Sequence, residues 1–267
     1  MVDDDHAGRF DAAAATVRDC GLELLAVSTV YERPVVGDEA GVETLAMVGL
    51  VARMRRLLRS AYRLADAGEV LEASILNRVL MEYLFTLRWL QVDPELNYVL
   101  WAADDLRARL TIDREVREQA EEGHSDAIEL MEPDVRQQYE QSLARMRALI
   151  AEARERVGGG PIRLPSFEQR AREAELPFAY SLAYRFDSIT GSHPTPHAVE
   201  QLMVEHPRGI AILPQPASGR GYADTYGVAA HVLLDALNSA ADRIPELQLG
   251  EGLEAVQRRL MELAPQG

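Results

Sequence analysis

At 267 residues, with 47% apolar and 27% charged side chains, the chain is long enough to bury a sizeable core and has the balance of an ordinary globular protein. Its net charge of −15 repels nucleic acid at long range, and its one cysteine, Cys20, excludes an intrachain disulfide and a cysteine-built zinc site. All 28 basic residues are arginine, which excludes lysine Schiff-base chemistry and a P-loop lysine, and no apolar run reaches the roughly 18 residues of a membrane span. The acidic start MVDDDH is unlike a signal peptide, so a cytoplasmic protein with no membrane partner is expected.

After an acidic tail at residues 1–8, Arg9 to Val30 carries Phe10, Ala14, Val17, Leu22 and Leu25 at helical spacing, with Cys20 among them as a small core residue. Pro34 and the glycines of ERPVVGDEAG break that helix. A second helix is predicted from Val42 to Ala67, with Val48, Val51, Met54, Leu58 and Tyr62 among its apolar positions. Arg53, Arg55, Arg56, Arg59 and Arg63 crowd onto part of its circumference and read as a solvated face, or alternatively as a place for anions. Ala67-Gly68-Glu69 predicts a short turn, so the second and third helices should pair antiparallel.

The third helix, Leu71 to Gln91, is apolar nearly all the way round, which marks it as the central helix. Stepping about 100° per residue, Arg78 and Glu82 fall within roughly 40° of one another. They share an arc with Leu71, Ile75, Phe85 and Trp89, which reads as core-facing. Opposite charges one turn apart on such an arc satisfy each other, either as a structural ion pair or as the floor of a polar pocket.

Asp93-Pro94 predicts a cap and first turn opening a helix to about Glu122, and Pro133-Asp134 opens another to about Val157. Charge dominates residues 102–157, which read as a projecting helical arm suited to self-association. Residues 158–165, beginning with three glycines, read as a linker; the glycines lack the Lys-Ser/Thr ending of a phosphate loop. Ser166 to Gln169 predicts a capping box, and 177–190 is helical by pattern. A helix from Thr195 through Met203 follows, then a short extended GIAIL, and two last helices at 222–244 and 249–263. The expectation is a single all-α domain over residues 1–267, a bundle of about nine to eleven helices, because the apolar helices at the two ends need each other to form a core.

Tyr180, Tyr184 and Ser188 share a helical face, and His193 lies just past Gly191, placed to point back into a pocket. His193, His197 and a nearby Glu do not make a complete ligand set, so no metal and no cofactor is expected. The pattern N-R-x-L-x-E-Y at 77–83, with Y-x-x-x-Y-R-x-x-S and a following S-H-P, resembles an uncharacterised, mainly bacterial helical family, domain of unknown function 5677, over roughly residues 40–235. That resemblance implies Arg78, Glu82, Tyr184, Arg185, Ser188 and His193 as the characteristic polar positions and implies no activity. Arg185 and His193 also resemble the arginine–histidine hallmark of the HEPN helical ribonucleases, although seven residues separate them where the hallmark has four to six. This second resemblance implies a metal-independent endoribonuclease of toxin or phage-defence type, with RNA as substrate, His193 as general acid/base and Arg185 on the phosphate, acting as a homodimer. Against it stands a polar cluster of Arg78, Glu82, Tyr184, Ser188 and His193 that organises the core or binds a small anionic ligand or a protein partner.

Overall fold

The computed structural model describes residues 4–35, 41–122, 133–177, 179–184, 203–206, 209–212, 220–244 and 249–263. Helices stand where apolar spacing places them: α1 (Asp4–Val27), α2 (Val42–Asp66), α3 (Val70–Val92), α4 (Pro94–Glu121), α5 (Pro133–Arg156), α6 (Phe167–Glu173), α7 (Arg220–Ala241) and α8 (Gly250–Leu263). A 3₁₀ turn at Thr29–Tyr31 ends the first helical stretch earlier than expected, and Ala179–Tyr184 forms a π-helical turn. The fold is all-α, with one small antiparallel hairpin among the described residues, β1 (Met203–His206) on β2 (Gly209–Ile212), in which Met203 pairs with Ile212 and His206 with Gly209. The extended reading of GIAIL agrees with β2. Met203, expected to end a helix, belongs instead to β1, and the rest of that expected helix lies outside the described residues.

The chain divides into two compact units, residues 1–89 with 167–267, and residues 90–166. In the first, the two ends of the sequence meet as the apolar patterning requires: α1 packs on α7 and α8, and α2 on α7. Gly68, at φ +88°, makes the expected turn between α2 and α3, and α7 lies on the face of α2 that carries Tyr62. The Tyr62 ring meets Tyr226 edge-on at 4.8 Å, and its hydroxyl donates to the Tyr226 carbonyl at 3.0 Å.

Two arginines tie α1 into this core. Arg18 donates to both oxygens of Asp66 at 2.7 Å, and the Tyr226 hydroxyl donates to the same carboxylate at 2.6 Å. Arg55, part of the expected solvated face, is 2% exposed instead. It donates through Nη2 to the Leu25 carbonyl at 2.6 Å and through Nε to Ser28 Oγ at 2.8 Å, filling the acceptors left at the end of α1. Arg53, Arg56 and Arg63 are exposed as expected, and Arg59 donates to Glu32 at 3.0 Å.

The hydrogen bonds from Arg18, and secondarily from Tyr226, hold the Asp66 carboxyl below the usual range against the opposing effect of burial. A depressed folded-state pKa supplies stability above the unfolded value of about 3.9 and loses it as pH falls through the folded value. The melting-temperature difference between wild type and Asp66→Asn should therefore be full at pH 7 and shrink below about pH 4. A difference independent of pH would mean that the carboxylate charge is not what Arg18 and Tyr226 stabilise.

The second unit is built on α4 and α5. Asp93 caps α4 by accepting from the Leu96 amide at 3.2 Å, with Pro94 in the first helical position. Ala103, Ile150, Ala153 and Ile162 form its buried cluster, flanked by Val99, Leu100, Leu106 and Leu110. Buried Asp113 accepts from Arg117 Nε at 3.0 Å and the Tyr139 hydroxyl at 2.6 Å, stitching the two helices together. Gly158 and Gly159, at φ +73° and +81°, cap α5 through Gly159 N–H to the Arg154 carbonyl at 2.8 Å, and Arg107 holds the Ile162 carbonyl at 2.8 Å.

Candidate functional site

The C-terminal half of α3 is enclosed, with Leu80, Met81, Leu84, Phe85, Leu87 and Trp89 all buried, as an all-round apolar helix requires. The arc shared by Arg78 and Glu82 is only partly internal. Phe85 and Trp89 lie in the core, Leu71 is half-buried and Ile75 is 40% exposed. Arg78 and Glu82 sit at the transition, each side chain 24% exposed, so the arc read as core-facing leaves this pair partly in water. Among the described residues, the hydrogen-bonded and aromatic contacts that α6 and the π-helical turn make with this arc run from Arg78 to Trp89.

Those contacts begin with α6, which at seven residues is too short to hold its own shape. Arg170, 8% exposed, fixes it: the guanidinium lies 4.8 Å from the centre of the Phe167 ring and 5.4 Å from that of Trp89, and donates to Thr86 Oγ1 at 3.0 Å. Trp89 Nε1 donates to Glu173 at 2.8 Å. Beyond α6, the wide π-helical turn stacks Tyr180 on Tyr184 at 5.0 Å and 22°, in agreement with the shared face read from their spacing. Phe85 meets the Tyr184 ring edge-on at 5.8 Å, and Phe167 leans on it at 6.1 Å.

This packing delivers the Tyr184 hydroxyl to the charged pair. It donates to Glu82 Oε1 at 3.0 Å and accepts from Arg78 Nη2 at 3.3 Å, while the guanidinium carbon lies 5.3 Å from its ring centre. Arg78 Nε is 3.5 Å from Glu82 Oε1, an ion-pair distance without hydrogen-bond geometry. That nitrogen is buried and has no hydrogen-bond partner among the described residues. Burial, reinforced by Glu82 and opposed by Arg78, raises the Tyr184 pKa, so its proton stays in place as the donor to Glu82.

Arg78, Glu82 and Tyr184 are thus brought together; Arg185, Ser188 and His193 lie outside the described residues. Sequence reasoning missed Arg170, whose signal was its place one turn after Phe167 on a short helix. It also missed Asn77, the neighbour of Arg78, which is buried and donates to the Thr225 carbonyl at 2.8 Å. Among the described residues, no cluster of three or more His, Cys, Asp or Glu side chains is placed to hold a metal ion, and no helix is long and apolar enough to cross a membrane.

No curated protein and no solved structure matches the chain. A family model does: it covers residues 44–210, from the first turn of α2 into β2, and so takes in Arg78, Glu82 and Tyr184. With more than half of its length matched, the chain belongs to the family of unknown function DUF5677.

Proposed function

We propose that this helical protein binds a small anionic ligand, with Arg78 receiving its acidic group and with Glu82 and Tyr184 fixing the guanidinium. The observation that carries the proposal is how loosely Arg78 is engaged. Among the described residues, Arg18 and Arg55 in the same unit each make two bonds of 2.6–2.8 Å, whereas Arg78 makes one, at 3.3 Å. The planar fork of a guanidinium suits paired acceptors, and Arg18 and Arg55 use it in that way. Arg78 instead keeps Nη1 in reserve on a side chain that is 24% exposed.

Phosphate, acetate and citrate titrated against wild type and Arg78→Met, with melting temperature and calorimetry as readouts, test this reading. The pair is partly exposed, so Arg78→Met should cost about 1 kcal/mol or less and stay folded. At least one of the anions should bind wild type saturably and fail on the variant. Equal response of both proteins to every anion, or none from either, would sink the reading.

A second reading, the metal-independent endoribonuclease, draws on one placement: Arg185 directly follows Tyr184 of this cluster. Total RNA cleaved by wild type and spared by an equally folded His193→Ala would replace the first reading with this one.

A further inference from the structure

We propose that the ligand is a small zwitterion, an α-amino acid or close analogue, whose carboxylate meets Arg78 and whose ammonium meets Glu82. The proposal rests on the ligand-binding reading above and narrows its chemistry. An anion at Arg78 does not meet a lone cation, because Glu82 Oε1 is 3.5 Å from Arg78 Nε and is held there by the Tyr184 hydroxyl at 3.0 Å. A purely anionic guest is repelled by that carboxylate over nearly the same distance at which the guanidinium attracts it. It must either displace Glu82 or bind weakly.

A guest with both charges has no such conflict. Among the described residues the Glu82 carboxylate accepts a hydrogen bond only on Oε1, which leaves Oε2 available, and of the two Arg78 amino groups Nη1 is likewise available. The acidic and basic groups of the site are one helical turn apart and in contact, which matches a guest whose own charges flank a single carbon. Electrostatics at long range agree: a chain of net charge −15 repels a free anion before it arrives and leaves a neutral zwitterion indifferent. The geometry is also fixed in advance, since the hydroxyl that positions Glu82 belongs to a ring wedged among Phe85, Phe167 and Tyr180.

Calorimetric titration of the α-amino acids, each beside its des-amino carboxylic acid, against wild type, Arg78→Met and Glu82→Gln tests the assignment. At least one amino acid should bind wild type at least about 10-fold more tightly than its des-amino counterpart, since the acid alone faces Glu82 unrelieved. Glu82→Gln should erase that preference, and Arg78→Met should bind neither compound. If the des-amino acid binds wild type as tightly as the amino acid, the zwitterion assignment fails while anion binding at Arg78 stands. If neither compound binds, both proposals fail, and binding that survives in both variants places the guest elsewhere and overturns the assignment. Circular dichroism of each variant, matched to wild type, confirms that lost binding is not lost fold.

Discussion

Arg55→Met lowers the stability of the first unit by about 2–4 kcal/mol, a loss set by stranded acceptors rather than by lost volume. Methionine fills much of the same space and keeps the helix propensity of α2. It cannot donate to the Leu25 carbonyl or Ser28 Oγ, which Arg55 reaches at 2.6 and 2.8 Å in a 2%-exposed position. A buried charge is sometimes better replaced by an apolar side chain, but that holds when its ionic partner leaves too. Here the partners are a main-chain carbonyl and a hydroxyl that remain in place, and Ser28 is already committed to the Leu24 carbonyl. Urea unfolding should show the midpoint falling at unchanged slope, and Arg55→Lys should recover less than half of the loss because a single ammonium does not span both acceptors. A midpoint equal to wild type for Arg55→Met would show that the end of α1 does not depend on this donor.

Gly21→Ala is the second large effect, and its sign is a contest between two terms. Alanine in mid-helix gains up to about 1 kcal/mol over glycine. Against that, the added Cβ would lie 1.9 Å from the Tyr62 hydroxyl oxygen and 2.4 Å from Cζ, so something must move. The ring is buried, held edge-on against Tyr226 at 4.8 Å and tethered by its hydroxyl to the Tyr226 carbonyl, and it cannot swing without giving up both contacts. Overpacking of this kind costs about 1–3 kcal/mol before the hydrogen bond is counted, so a net loss near 2 kcal/mol is expected. For a chain of this size that is a fall of roughly 4–8 °C in melting temperature by calorimetry. Tyr62→Phe in the same background should recover part of it by removing the nearest atom. A melting temperature at or above wild type for Gly21→Ala alone would show that the ring is free to yield.

Much of the fold was legible because its signals are local. Asp93-Pro94, Gly68 and the apolar stripes of α2, α3 and α7 each act within a turn or two of themselves, and the helices they delimit stand as expected. What sequence could not resolve was who faces whom. Five arginines between Arg53 and Arg63 look alike until the end of α1 singles out Arg55, and only Tyr226, 164 residues away from Tyr62, explains why α2 lies on α7. The candidate site divides in the same way. Helical spacing alone joins Arg78 to Glu82 and Tyr180 to Tyr184, but the meeting of the two pairs depends on Arg170 clamping α6 between Phe167 and Trp89. The exposure of Ile75 was hidden too, because a helix apolar on every side carries no mark of where its neighbours stop.

Cys20 gives this arrangement a built-in reporter. The thiol is fully enclosed on α1, and burial raises its pKa further from the reactive thiolate. A disulfide reagent therefore labels it only in molecules whose first helix has momentarily lifted away from α7 and α8, and no other sulfhydryl competes for the dye. The rate of colour development in native buffer then measures how often the two ends of the polypeptide part.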